Sequence, residues 1–340
     1  MRKKTLVLAA SLLLGGMTVR AATRRLRALR SVAPELRSPL LLVPVHLGGP
    51  RTLRLLRRVP AGRTRIAPGV AVAKGTLAAR GEHPPVDVYV YQPSRRSKPS
   101  GALLWIHGGG FVLGQPVAYH ELASRFAREL GIVVVSVDYR LAPEHPFPAG
   151  LEDCWTALSW LHDHTEELGI DPGRLAVGGD SAGGGLTAAL SQMALDRGGP
   201  PICFQLMLYP MLDDRTVLRH DHAGTGAVAW SPVSNRYGWT AYLGHTPGPD
   251  EPRPYAAPAR RDDLSGLPPA WVGVGDIDLF HAEDVAYADR LSEAGVPCEL
   301  LVVPGMYHGA DTLFDGKVPS MTAFRASMID ALRRGLAAAR

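Results

Sequence analysis

The chain predicts an α/β domain built on a largely parallel sheet. Short apolar runs of the kind that buried parallel strands show alternate along it with helical patterns of ten or more residues. Two glycine-dense turns follow such runs directly, "HGGGF" from His107 and "GGDSAGGG" from Gly178. Sheets of this type bind ligands beyond the carboxyl ends of their strands, which is where those turns fall. The 340 residues are ample for one large domain or two smaller ones. With 46% hydrophobic and 20% charged residues, the balance is that of a globular protein.

Ahead of the alternation lies an extension of different character. From Met1 to Arg65 there are 15 Lys/Arg against one acid, Glu35, a balance of +14. The remaining chain carries 22 basic and 31 acidic residues, or −9, which together give the net +5. The basic excess belongs to the extension, which argues against nucleic-acid binding by the main body. The chain opens with a basic trio and the uncharged run Thr5 to Val19, the shape of a secretory signal's first two regions. That run is short of the ~20 residues that span a bilayer. Arg20, Arg24, Arg25, Arg27 and Arg30 follow, with Leu26, Leu29, Ala33 and Leu36 at helical spacing. This suits an amphipathic helix at an anionic membrane surface. Residues 1–30 therefore read as a cleaved signal, a membrane anchor or a helix on the protein's own core, and residues 31–340 as the main domain. Membrane association or export is favoured over a cytoplasmic location.

Past Pro60 the alternation begins. Val86 to Pro93 alternates as a half-buried strand and stops at its proline. The apolar runs "GALLWI" and "GIVVVSVDY" are strands, and between them Ala118 to Gly131 has helical spacing and a terminal glycine. A helix over Ala149–His164 precedes the strand "RLAVGGD", and a second helix runs from Ala182 to Asp196. Strands follow at Ile202–Pro210 and Pro268–Asp276, then a helix at Ala282–Gly295, a strand at Pro297–Gly305 and a closing helix at Pro319–Ala339. Cys154, Cys203 and Cys298 stand singly in apolar segments, without metal spacing or a disulfide framework, and read as buried free thiols.

The glycine-dense turn at Gly178 admits two readings. A P-loop would need a Lys after its glycines, and none follows. A dinucleotide fingerprint would need an acid about 20 residues on at the end of a second strand; Asp196 has the distance but lies in the helix-ending turn "LDRGGPP". Gly179-Asp180-Ser181-Ala182-Gly183 fits G-x-S-x-G without adjustment, between a strand and a helix as a nucleophile elbow requires. A serine hydroxyl is a weak nucleophile at neutral pH and needs a base, which in turn needs an orienting acid. "VGVGDIDLF" places Asp276 and Asp278 after one late strand, and "LLVVPGMYHGA" places His308 after the next. Ser, Asp, His is the order that α/β-hydrolases follow. Acyl transfer builds negative charge on a carbonyl oxygen, which backbone N–H groups stabilise. Gly108 and Gly109 of "HGGGF", with the Ala182 N–H, are the donors expected for that oxyanion.

These motifs, with "DYRLAPEHPFPA" (Asp138 to Ala149) and "PGMYHG", resemble the hormone-sensitive-lipase-like esterases, also called bacterial family IV lipolytic enzymes. The resemblance runs from about Val86 to the C-terminus. It implies an α/β-hydrolase fold: a mostly parallel eight-stranded sheet flanked by helices, under a helical cap drawn from about residues 31–58 and 212–254. It also implies a serine carboxylesterase with no metal or cofactor, acting on small-molecule esters of short to medium acyl chain. By position, Ser181 matches the nucleophile, His308 the base and Asp278 the acid. The family's Asp-Pro-Leu-Arg-Asp-Glu run is replaced here by "DLFHAED", with Leu279 for the proline and His281 for the arginine, which leaves Asp276 as a rival acid. "DYRLAPE" reads as a brace for the active-site loops. Trp230, Tyr237, Trp239 and Tyr242 of the cap either line an acyl pocket or pack within the cap. An amidase or arylacetamide-deacetylase-like activity is the runner-up, since the same triad cleaves amides. Relatives that only bind ligands lack the catalytic His, and this chain retains His308.

Overall fold

The computed structural model describes residues 19–44, 46–59, 65–79 and 84–338; the uncharged run Thr5–Val19 lies, but for its last residue, outside them. Eight strands form one sheet: β1 (Val70–Leu77), β2 (Val86–Pro93), β3 (Ser100–Ile106), β4 (Val133–Asp138), β5 (Ile170–Asp180), β6 (Phe204–Leu208), β7 (Ala270–Gly275) and β8 (Cys298–Val303). Their order is β1-β2-β4-β3-β5-β6-β7-β8. β2 runs antiparallel to both of its neighbours, and β3 to β8 are parallel to one another. Burial follows this division. All seven residues of β3 are buried, as a central parallel strand covered on both faces requires. β2, near the edge, alternates.

Successive β3 side chains serve opposite layers, since strand side chains alternate between faces. Leu103 and Trp105 pack with Phe126 of α3 (His120–Leu130) and with Phe324 and Met328 of α8 (Pro319–Ala338). Leu104 and Ile106 pack with Leu158 of α4 (Ala149–Asp163) and Leu186 of α5 (Ala182–Asp196). On the second face, α7 (His281–Glu293) adds Tyr287 and Leu291 over Met207 and Val272. α3 ends where its glycine predicts, at Gly131 with φ 62°.

β1 carries only a weak signal in the sequence, and the structure gives the reason. Val70 and Val72 alternate onto the core and Leu77 is buried, but the other five residues face solvent. Its Lys74 and Thr76 instead meet Asp87 of β2, each at 2.6 Å, and a lysine is a common guard on an exposed edge strand.

Three helices lie outside the alternation of strand and helix, α1 (Val19–Arg30), α2 (Pro50–Arg57) and α6 (Pro232–Leu243); α2 and α6 fall in the two stretches expected to form a cap. The helical spacing expected through Leu36 breaks at Arg30, because Pro34 has no N–H and disfavours helix in the residue before it. Leu36 lies instead in a short 3₁₀ turn, fully buried against the α3/α8 layer. α1 is docked on the body of the protein: Ala28 and Leu29 pack on the same core, and Arg25 donates to the carbonyls of Leu41 (2.7 Å) and Ala227 (2.5 Å). The two cap segments are joined where Leu47 N donates to Ser234 Oγ (2.9 Å). The three cysteines are free thiols; Cys154 is buried, while Cys203 and Cys298 are only half-buried. No helix among the described residues is long and apolar enough to cross a membrane.

Leu36 tests whether the cap's first segment is integral to the fold. Leu36→Ala is expected to lower the unfolding free energy by about 2–5 kcal/mol, read from denaturant titration. An unchanged midpoint would mean that this segment folds apart from the sheet.

Candidate active site

The turn from β5 to α5 is set by a close crossing. A Cβ at Gly183 would come 2.0 Å from the Ile106 carbonyl oxygen, and one at Gly179 would come 2.5 Å from that oxygen and from the Gly183 backbone. Only glycine fits at these two positions, which explains the density of the motif. Between them Ser181 adopts φ 55°, ψ −121°, a strained conformation for a residue with a side chain. It is held by three hydrogen bonds, Ser181 N to the Leu208 carbonyl (2.8 Å), and Met211 N (2.9 Å) and Gly185 N (3.0 Å) to the Ser181 carbonyl.

The loop after β8 brings His308 over this serine. His308 Nε2 lies 2.9 Å from Ser181 Oγ, and Nδ1 lies 2.8 Å from Asp278 Oδ2. A carboxylate at Nδ1 keeps the ring proton there and leaves the Nε2 lone pair for the hydroxyl. The other Asp278 oxygen accepts from Phe280 N (3.0 Å). The rival, Asp276, is exposed and turned away; its carboxylate accepts from Gly305 N (2.6 Å), at the turn that leads to His308. Tyr209 and Phe280 present their ring edges to the His308 imidazole at 4.7 and 5.2 Å.

The "HGGGF" loop lies beside the elbow, and it corrects one expectation. Gly108 N–H is already engaged, donating to Asp180 Oδ1 (2.9 Å) and to Tyr119 Oη (3.2 Å), so it is not free for an oxyanion. Gly109, Gly110 and Ala182 N–H have no protein acceptor among the described residues. Asp180, next to Ser181, is the clamp: its second oxygen accepts from Tyr119 Oη (2.8 Å). Burial pushes its carboxyl up to about 7, opposed by the Tyr119 hydrogen bond. Neither Asp180 nor Tyr119 stood out in the sequence, although the first is part of the elbow motif. Behind the clamp opens a cavity of about 470 Å³, bounded by Tyr119, Asp180, Tyr209, Asp311 and Arg325 and not reaching Ser181.

The remaining motif residues form the support. His107 is wholly buried, its imidazole pushed down to about 4 by desolvation, and it stacks on Tyr139 at 4.3 Å. Tyr139 Oη donates to the His107 carbonyl (2.9 Å), and Ala142 N donates to the Phe111 carbonyl (3.0 Å). Arg140 is held by Asp153 through its backbone N–H and its guanidinium. The "DYRLAP" segment thus holds the backbone of the glycine loop, through the Tyr139 hydroxyl and the Ala142 N–H. Of the cap aromatics, Trp239 and Tyr242 are buried against Phe111 at 5.2 and 3.9 Å, and Tyr237 packs beside α2. Trp230 alone of these four reaches the site: its ring lies 6.1 Å from that of His308, and a Cβ at Gly110 would meet it at 2.3 Å.

A profile of a family described by its alpha/beta hydrolase fold matches residues 103–312. Esterase LipI of Mycobacterium tuberculosis is 37% identical over 268 residues, which cover 78% of this chain and 80% of that protein. Carboxylesterase NlhH of the same organism is 39% identical over 256 residues, 74% of this chain and 79% of that one. Among solved structures, a bacterial heroin esterase superimposes with a TM-score of 0.82 at 36% identity, covering 91% of this chain and 99% of its own. Esterase LipW from Mycobacterium marinum gives 0.79 at 34% identity, with 91% and 97% covered. Sequence and fold agree: the chain belongs to the α/β-hydrolase fold family, in its hormone-sensitive-lipase-like branch of esterases.

Proposed function

We propose that this protein is a serine carboxylesterase in which Ser181, His308 and Asp278 form the triad. The observation that carries this reading is the hydrogen-bonded line from Ser181 Oγ through the His308 ring to Asp278. Ser181 Oγ attacks the ester carbonyl carbon while His308 Nε2 takes its proton. The carbonyl oxygen becomes an oxyanion, stabilised by N–H groups of Gly109, Gly110 and Ala182. The tetrahedral intermediate collapses as His308 returns the proton to the leaving oxygen; the C–O bond breaks and the alcohol departs. Water, deprotonated by His308, then attacks the acyl-enzyme, and Ser181 leaves with the proton restored. Asp278 fixes the tautomer and stabilises the imidazolium of both steps. No step calls for a metal or cofactor.

The substrates are small esters of short to medium acyl chain. Ser181 is 5% exposed and Trp230 covers the glycine loop, which leaves a confined approach. The basic N-terminal extension suits work at an anionic membrane surface.

Three substitutions test the assignments on a soluble aryl ester, with the matched amide run alongside to rank ester against amide cleavage. Ser181→Ala should lower turnover by on the order of 10⁶ with the fold retained; residual activity near that of wild type would remove the nucleophile assignment. Asp278→Asn should cost roughly 10⁴ and Asp276→Asn far less. The reverse ranking would move the acid to Asp276. Asp180→Ala frees Gly108 and loosens the donors beyond it, so kcat should fall by on the order of a hundredfold with KM little changed. An unaltered kcat would show that the loop holds its shape without the clamp.

A further inference from the structure

The cap turns two arginine- and leucine-bearing helix faces away from the catalytic body. In α2, Leu53 is buried, and Arg57 reaches inward to the carbonyls of Val112 (3.0 Å) and Ala142 (2.8 Å) and to Glu144. Arg51, Arg54 and Leu55, with Arg58 at the C-cap, are spaced i, i+3, i+4 and i+7; they make up the opposite face and are exposed, Leu55 to 64%. α1 repeats the arrangement: Arg25 and Leu29 turn inward, while Leu26, Arg27 and Arg30 face solvent, Leu26 to 57%.

Both faces lie over one edge of the molecule. Just after α1, Ala33 N donates to the Gly305 carbonyl beyond β8, and Arg57 of α2 binds the loops beyond β3 and β4. These are the carboxyl ends of parallel strands, the edge at which Ser181 follows β5. Arg27, Arg30, Arg51, Arg54 and Arg58 form no side-chain ion pair or hydrogen bond among the described residues. The only acid from Val19 to Val59 is Glu35, which accepts from Ser320 N.

We propose that this arginine–leucine surface is where the enzyme lies on an anionic lipid bilayer, with the active-site edge turned toward the lipid. Guanidinium groups suit the phosphates of the headgroups, and leucines interleaved with them suit the acyl boundary just below. A solvated or nucleic-acid-binding face has no use for the leucines, since a phosphodiester backbone is met by cations, and the span Val19–Val59 holds no Phe, Tyr or Trp to stack on bases. The proposal deepens the membrane reading above by assigning the contact to the folded cap; it rests on the esterase reading only for what the edge does there.

The test uses the full chain with phosphatidylglycerol and phosphatidylcholine vesicles. Wild type should sediment with the anionic vesicles, less so at high salt. The triple variant Arg51→Glu/Arg54→Glu/Arg58→Glu should lower the partition coefficient by on the order of a hundredfold or more, with hydrolysis of a soluble ester unchanged as the control for folding. Leu26→Ser/Leu55→Ser should also weaken vesicle binding and leave any binding to heparin as it was. Wild-type vesicle binding by the triple variant would overturn the proposal, because the residues ahead of α1 would then carry the attachment alone. So would a leucine variant that binds vesicles as wild type does, which would mark the face as a docking site for a soluble polyanion. If the triple variant fails to fold, the leucine variant decides. Vesicle binding is read without turnover, so a failure of the esterase reading, seen with Ser181→Ala, would be distinguishable from a failure here.

Discussion

The contact between the first turn of α5 and the end of β3 governs the catalytic edge. Gly183 sits against the Ile106 carbonyl so closely that no Cβ could intervene, and Gly179 shares the constraint. Because the helix starts this near β3, the chain must turn sharply at Ser181, which forces its positive φ and projects the hydroxyl from the turn. The same proximity puts Asp180 within reach of Gly108, one residue beyond Ile106 and His107. Ser181 and the glycine loop are thus parts of one packing solution, and a change in one displaces the other.

Around that contact, loops are fastened by carboxylates taken out of water. Asp180 holds the glycine loop through Gly108 N–H and Tyr119. Asp311 accepts from Tyr209 Oη (2.7 Å), and Tyr209 in turn backs the His308 ring. Glu283 accepts from Leu212 N (2.8 Å) and Asp213 N (3.2 Å) and from the Thr216 hydroxyl, fixing the chain where it leaves β6 for the cap. Burial pushes all three carboxyls upward, Asp180 to about 7 and Glu283 to about 8. Each is retained at a place where a backbone donor or a tyrosine hydroxyl would otherwise lack a partner. The cap is tied down by the opposite chemistry, with Arg25 and Arg57 donating to main-chain carbonyls.

The central sheet was legible because its strands are buried on both faces, and continuous apolar runs such as "ALLWI" have few other uses. Ser181, His308 and the strand-end aspartates were legible because each follows such a run. What escaped was decided by tertiary contacts. β1 is mostly exposed, and only Val70 and Val72 mark its core-facing side before Leu77. The choice between Asp276 and Asp278 depends on which carboxylate the turn after β7 directs inward, and two residues of spacing do not say. The glycine motif marks Gly108 as an oxyanion donor, but motif letters do not record that Asp180 already occupies its N–H. Trp230, Trp239 and Tyr242 look alike in sequence, yet only the first lies at the site, since Phe111 draws the other two into the core.

The proposed mechanism passes through an intermediate in which the acyl group of the ester is carried on Ser181 Oγ. Rapid acid quenching of the enzyme during turnover of an activated ester, followed by peptide mass spectrometry, tests it most directly. A mass increase of the acyl group less one hydrogen is expected on the peptide that contains Ser181, absent from the Ser181→Ala variant. An acyl group found on another residue, or turnover with no acylated peptide when deacylation is rate-limiting, would contradict it.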